Sequence, residues 1–359
     1  MAATLDRPTG GDIATFEIAN EIARTGRDRV QIVHVPILGR RVRHVEDVPW
    51  FDFDPAVVHQ CNEDLDPDLL PEADVIVYSP KLLAAALAPD TGALGSRFID
   101  VLRGPASRSG RPILLLQGHG VFNPAVEELT LALPGPKVCV GSWLARLLVQ
   151  RGVPAADVTH IPNGVDPQRF RVTHPILERP PAASMNFDPH PVKEGGVGID
   201  ALGQLYRDLA VPSTVFGTRP PEHGLPPGLG FVLSPARQAI AEEIYNRSSM
   251  FLQPGRQEGF GMCAVEAMAS GCALVTTANG GSDDYAIDGE TALVCGYEPA
   301  AMADALERLA RDHALRVRLA TNGCHFVERF RWSTTAERFT GLATELLTEP
   351  DPAMHKARP

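Results

Sequence analysis

Short, nearly continuous apolar runs recur along this chain, each followed by a stretch with helical spacing, and this alternation restricts the fold more than any other feature. Gln31 to Pro36 (QIVHVP), Asp74 to Tyr78 (DVIVY), Ile113 to Gln117 (ILLLQ), Lys137 to Val140 (KVCV) and Val158 to Ile161 (VTHI) read as buried strands. Apolarity on both faces suits parallel strands covered by helices above and below. Helix signals lie between them. Ser79-Pro80 reads as a cap followed by proline at the first helical position, and Ser142 as the cap of WLARLLVQRG, which ends on Gly152. Strand followed by helix, repeated, implies a doubly wound parallel sheet with right-handed crossovers.

A turn-rich passage from Asn163-Gly164 to Pro180-Pro181 interrupts the rhythm and reads as a link. A second series follows, with strands at Ser213 to Gly217, Met250 to Gln253, Ala273 to Thr276 and Ala292 to Val294. Helices are expected at Val197 to Leu209, Ala236 to Arg247, Gly261 to Ser270 and Pro299 to Arg311. A last amphipathic helix, Thr334 to Leu347, is expected to return to the first domain, and the tail DPAMHKARP to fray. The expected domains are 1–172, 173–332 and the returning helix with its tail, 333–359. At 359 residues the chain suits two α/β domains better than a single core.

The start is unusual for a doubly wound domain. Gly10-Gly11 opens a helix running from Ile13 to Arg24, yet only MAATLDRPT precedes it, leaving room for a very short strand at Ala3 to Leu5. Either that strand is vestigial or the natural start lies upstream.

The charge balance, 44 acidic against 33 basic residues for a net −11, argues against a nucleic-acid backbone as partner. Small anions remain compatible, because a local site can be positive on a negative whole. No apolar run approaches the roughly 20 residues that span a bilayer. The six cysteines (61, 139, 263, 272, 295 and 324) form no C-x-x-C pair and read as reduced thiols. A cytoplasmic protein is expected. Arg40, Arg41 and Arg43 form a small basic cluster that could touch an anionic lipid at a membrane surface or an acceptor, though a solvated face explains it more simply.

The chemistry concentrates in Pro254 to Gly271, PGRQEGFGMCAVEAMASG. Glu258 and Glu266 are eight positions apart, a spacing with little meaning by itself. Here a strand runs into a turn, then Glu258, then Gly259-Phe260-Gly261 at a helix start, then Glu266 two turns on. Glycines at a helix N-terminus let backbone N–H groups approach a diphosphate, whose charge the helix dipole favours. A carboxylate just before that turn can accept hydrogen bonds from sugar hydroxyls, and a second on the helix can take both hydroxyls of a ribose. Such charged hydrogen bonds contribute about 1.5–3 kcal/mol each.

From Ser234 to Trp332 the chain resembles the C-terminal domain of the family 4 retaining glycosyltransferases, which have the GT-B architecture of two Rossmann-like domains facing a cleft. The resemblance rests on EIYNRSSMFLQPGRQEGFGMCAVEAMASGCALV, NGGSDDYAIDGETALV and RFRW. Upstream it continues in Ile161 to Asp166 (IPNGVD), in Lys193-Glu194-Gly195, and in Gly10-Gly11 with the helix that follows. The resemblance implies that Glu258 contacts the donor sugar, Glu266 the nucleotide ribose, and the turn Gly259, Phe260 and Gly261 the diphosphate and sugar. It gives Lys193 the neutralisation of the donor phosphates, and Gly10 and Gly11 the N-terminal glycine loop. His119, in Gln117-Gly118-His119-Gly120 after the strand ILLL, is the candidate near the reacting sugar.

One departure stands out. Where the family places an arginine about five residues before its lysine, this chain has NFDPHPVK, with Asp188 and His190 instead. Arg256 is the favoured substitute and Arg219 the other. The implied activity is transfer of a sugar, with its configuration retained, from a nucleoside diphosphate sugar to an unidentified glycan, lipid-linked sugar or natural product. Neither cofactor nor metal is implied, since no D-x-D-like motif sits in an obvious cleft position. Competing readings are a catalytically weak or non-catalytic GT-B nucleotide-sugar-binding protein or partner subunit, and a sugar-nucleotide epimerase. A dinucleotide oxidoreductase fits poorly, since G-x-G-x-x-G is absent after any early strand.

Overall fold

A computed structural model of the chain describes residues 2–3, 8–35, 44–89, 91–104 and 110–348. The chain divides into two compact units, Met1–Gly164 with Trp332–Pro359, and Val165–Arg331.

In the first unit the order is β1 (Ala2–Ala3), α1 (Gly10–Arg24), β2 (Gln31–Val35), β3 (Val58–Cys61), β4 (Val75–Tyr78), α2 (Pro80–Ala86), α3 (Gly92–Arg103), β5 (Arg111–Leu116), α4 (Pro124–Ala132), β6 (Lys137–Cys139), α5 (Ser142–Gln150) and β7 (Val158–His160). All pairings are parallel, and they form two sheets ordered β1-β2-β3 and β4-β5-β6-β7. The short first strand is Ala2–Ala3, paired with His34 and Val35; Leu5, Pro36, the arginines at 40, 41 and 43, and the 351–359 tail lie outside the described residues. A cavity of about 500 Å³ lies among the N-terminal halves of β2 and β4 and the apolar face of α1.

Two expected caps differ in detail. Gly141, not Ser142, is the N-cap of α5, and Ser79 caps α2 by backbone conformation without a side-chain hydrogen bond. Proline at the first position of α2 already removes one N–H that a cap would otherwise satisfy. Strand β3 (VHQC) and helices α3 and α4 carried no pattern strong enough to be read beforehand.

The second unit runs β8 (Ala183–Asn186), α6 (Gly195–Leu209), β9 (Ser213–Gly217), β10 (Leu229–Leu233), α7 (Arg237–Ala239), β11 (Met250–Gln253), α8 (Met262–Ala269), β12 (Ala273–Thr277), β13 (Ala292–Cys295), α9 (Pro299–Arg311) and α10 (His313–Val327). The expected helix over Ala236–Arg247 is not regular. After α7 it widens into a π-turn at Ile240–Ile244 and tightens into a 3-10 turn at Tyr245–Arg247. Its six strands are all parallel, in the order β10-β9-β8-β11-β12-β13. Met185, Leu202, Leu205, Val215, Met250, Leu252, Val275, Met302 and Leu306 fill the core between sheet and helices. Each such side chain contributes about 1.5–3 kcal/mol through burial.

This strand order reverses between β8 and β11. In an open doubly wound sheet the crevice at the carboxyl ends of the strands flanking that reversal is where ligands bind. The chain leaving β8 leads to Lys193 and α6, and the chain leaving β11 leads to Glu258 and α8. The last helix, α11 (Trp332–Thr348), belongs to the first unit, where Phe339, Ala343 and Leu347 help wall the cavity beside α1.

Candidate active site

In the second unit, Lys193 and Glu258 meet across the strand reversal, with Nζ 2.6 Å from Oε2. Lys193 ends a short turn, Pro191–Lys193, and Glu194 follows in the left-handed region (φ 50°), turning the chain into α6. Burial works against the charge on Lys193, but the adjacent Glu258 carboxylate outweighs it and holds the ammonium pKa above its ordinary value. The lysine therefore stays protonated throughout the neutral range.

Glu258 is held from three directions. Gln253, at the end of β11, donates its amide N–H to Oε1 at 2.8 Å, while Lys193 takes Oε2. The backbone N–H of Glu258 donates to the Asn279 carbonyl at 2.9 Å, and Glu258 forms an isolated parallel bridge with Gly280. The Asn279-Gly280-Gly281 turn must lie flat against it. A Cβ at Gly281 would stand 2.9 Å from the Glu258 Cβ and from the carbonyl carbon of Phe260. The NGG segment is visible in the sequence but its bracing role is not, and Gln253 is legible there only as the end of a strand.

Gly261 is the N-cap of α8, with φ +87°, and a Cβ there would lie 2.2 Å from the Tyr285 hydroxyl. Both constraints select glycine, and they leave the helix tip lined with backbone. Phe260, expected at the donor site, turns its ring inward. It is 2% exposed and packs edge-on against Tyr285 and Phe330, with centroids at 5.7 and 5.3 Å.

Glu266 lies one turn into α8 and accepts a hydrogen bond from Arg237 Nη2 at 3.0 Å. Arg237, unnoticed in the sequence, stacks its guanidinium over Phe170 at 5.4 Å. It comes from α7, immediately before the π-turn, a local widening that often occurs at functional sites. Cys263, between the two glutamates in sequence, is held in its thiol form. Burial, with the carboxylates of Glu266 and Glu258, pushes its thiol up to about 12.

Arg256, the favoured replacement for the absent phosphate-clamp arginine, ion-pairs with Glu194 through Nε and lies over the Tyr297 ring at 4.8 Å. It is tied to the Lys193 loop, since its N–H donates to the Val192 carbonyl at 2.8 Å, but its side chain is half exposed. Arg219 is exposed.

In the first unit, Gly10 and Gly11 open α1, whose N-cap is Thr9. A Cβ at Gly11 would lie 2.6 Å from Gln117 Oε1, whereas one at Gly10 would meet nothing within 4 Å. Gln117 Nε2 donates to the Gly11 carbonyl at 2.8 Å. Buried Asp12 sits at the positive end of α1 and is neutralised by Lys81 Nζ at 2.7 Å. His119 follows β5 two residues beyond Gln117, and its Nδ1 lies 2.6 Å from Glu127 Oε2.

Residues 222–326 match the model of a family described as glycosyl transferases group 1. Among solved structures, the sucrose-phosphate synthase of Thermosynechococcus elongatus superposes with a TM-score of 0.70 at 17% identity, over 94% of each chain. The Anabaena protein HepE, solved in complex with UDP-glucose, gives 0.68 at 16% identity over 95% of this chain and 98% of its own. The D-inositol 3-phosphate glycosyltransferase of Corynebacterium efficiens is 30% identical over 174 residues, 48% of this chain and 38% of that protein. Its counterpart in Streptomyces bingchenggensis is 35% identical over 114 residues, 32% and 25% of the two chains. The matched stretch thus spans less than half the length of either relative. Two parallel α/β units with these structural neighbours define a GT-B protein. Within that fold, residues 222–326 of the second unit are similar to the glycosyl transferase group 1 family.

Proposed function

We propose that the protein is a retaining glycosyltransferase that moves a sugar from a uridine diphosphate sugar to a hydroxyl-bearing acceptor. The observation that carries this reading is the Lys193–Glu258 pair, 2.6 Å apart, beside the glycine-capped tip of α8. It combines a fixed positive charge, a helix N-terminus and a carboxylate, the complement of a sugar diphosphate. The complex of the structurally similar HepE with UDP-glucose favours uridine as the base.

In this reading Lys193 and the tips of α6 and α8 stabilise the charge that builds on the leaving diphosphate, which is the costliest part of the reaction. Glu258 accepts from hydroxyls of the transferred sugar, and its own position is fixed by Gln253 and the Asn279-Gly280-Gly281 turn. Glu266 takes the ribose hydroxyls, with Arg237 holding the carboxylate in place beforehand. Arg256 supplies a second, more loosely held cation near the phosphates. The acceptor's proton passes to the leaving phosphate on the face it departs from, which retains configuration without a second carboxylate as nucleophile.

The test is turnover with UDP-glucose and a panel of sugar, lipid-linked and small-molecule acceptors, with the product's anomeric configuration read by NMR. Retained configuration is expected, and Glu258→Ala should lower turnover by about 10²–10³ with the circular dichroism spectrum unchanged. Near-normal turnover of that variant would overturn the assignment. Conversion of the donor sugar with no acceptor present would point to an epimerase instead.

A further inference from the structure

Glu266 is not left to find its own orientation. Arg237 Nη2 donates to its Oε1 at 3.0 Å, and the two side chains are only 11% and 9% exposed. The guanidinium lies 5.4 Å from the ring centroid of Phe170, which is itself buried. The chain on the C-terminal side of Arg237 is fixed as firmly. Buried Arg179 donates to the carbonyls of Tyr245 and Ser248 at 3.3 and 3.1 Å and to Asn246 Oδ1 at 2.8 Å. Asn246 in turn donates to the Ala241 carbonyl at 2.9 Å. Between these anchors the helix widens at one point, where the Tyr245 N–H is shared between the carbonyls of Ala241 and Ile240. A π-turn of this kind accommodates a residue that a regular α-helix would not, here with both ends of the segment pinned.

Accepting from two neighbouring hydroxyls at once demands more of a carboxylate than accepting from one. Both oxygens must be aimed together, and a glutamate side chain has several rotatable bonds with which to miss. We infer that Arg237 is a positioning residue that sets the nucleotide specificity of the site. By fixing the Glu266 carboxylate, it makes the protein select ribonucleotides over 2′-deoxyribonucleotides. This deepens the proposed function and rests on its assignment of Glu266 to the ribose. A 2′-deoxyribose offers the carboxylate one hydroxyl instead of two and leaves a buried acceptor unpaired, which costs more than the net gain from such a bond. That penalty exists only while the carboxylate is held, because a released side chain turns to meet whichever hydroxyl is present. Arginine suits the task, since its planar fork fixes direction as well as charge, which a lysine ammonium does not.

Calorimetric titration with UDP and with 2′-deoxy-UDP separates this role from a merely structural one. Wild-type protein should bind UDP about tenfold to a hundredfold more tightly than 2′-deoxy-UDP. Arg237→Met should weaken UDP about tenfold and 2′-deoxy-UDP much less, which brings the ratio of the two affinities close to one. General damage to the site would weaken both nucleotides and leave their ratio as it was. Arg237→Lys keeps the charge without the fork and should give an intermediate ratio; it carries the test if the methionine variant does not fold. A ratio unchanged in Arg237→Lys and in any folded Arg237→Met would overturn the inference and leave the ribose assignment of Glu266 standing. Wild-type protein that binds the two nucleotides equally would overturn both.

Discussion

Lys193 Nζ and Glu258 Oε2 lie 2.6 Å apart although they are 65 residues apart in sequence, each following one of the two strands between which the second sheet reverses its order. The pair couples the phosphate and sugar ends of the proposed donor site. Lys193→Met should weaken binding of free UDP about tenfold to a hundredfold, the range for losing one charged hydrogen bond of about 1.5–3 kcal/mol. The same change leaves Glu258 half-held and poorly solvated, so a modest loss of thermal stability should accompany it. Unchanged UDP affinity by calorimetry would remove Lys193 from the phosphates.

Gly261 is the steric keystone of the helix tip. Gly261→Ala places a Cβ where φ is +87° and where the Tyr285 hydroxyl would lie 2.2 Å away. The backbone strain alone costs about 1–3 kcal/mol. At roughly 2–4 °C per kcal/mol for a unit of this size, the melting temperature should fall by about 2–12 °C. Donor affinity should fall with it, because the tip must shift to relieve the contact. A variant as stable as wild type would mean that the tip is more pliable than its packing indicates.

This brace is also where the sequence was most informative. Turn, carboxylate, glycines and helix are contiguous from Pro254 to Gly271, so local conformational rules were enough to read them. What escaped reading came from elsewhere in the chain. Arg237 reaches Glu266 across 29 positions, Asn279 supports Glu258 from a separate turn, and Glu127 finds His119 only because α4 folds back over its own entry loop. Strand β8 (ASMN) is short and half polar, and β10 is an edge strand with Val232 and Leu233 exposed, so neither shows the continuous apolarity that marked the central strands. The direction of the Phe260 ring is likewise set by Tyr285 and Phe330, which no local pattern links to it. The π-turn after Arg237 leaves no periodic trace in so short a helix.

Outside the candidate site, His34 ties the first unit's stability to pH. It is fully buried against Phe16 and Phe53, with Nε2 3.0 Å from His59 Nδ1. Burial, and secondarily the His59 charge, lower its pKa from 6.5 to about 4. Because the folded value is the lower one, the neutral ring stabilises the fold above the unfolded pKa, and that stability is lost as pH falls from 6.5 towards 4. The loss should reach about 3 kcal/mol at the bottom of that window. Melting temperatures across this range should therefore decline, and His34→Leu should flatten the decline. An equally steep decline in His34→Leu would assign the pH dependence to other groups.

The division of labour between the two glutamates is the claim on which the proposed function most depends, and calorimetric titration with UDP and with UDP-glucose tests it directly. Glu266→Ala should weaken both ligands alike, by about tenfold or more, because both carry the ribose. Glu258→Ala should weaken UDP-glucose by a similar factor and leave UDP nearly unaffected, because only the former carries the sugar. Wild-type protein that binds neither ligand, or two variants with the same loss for both, would contradict the account.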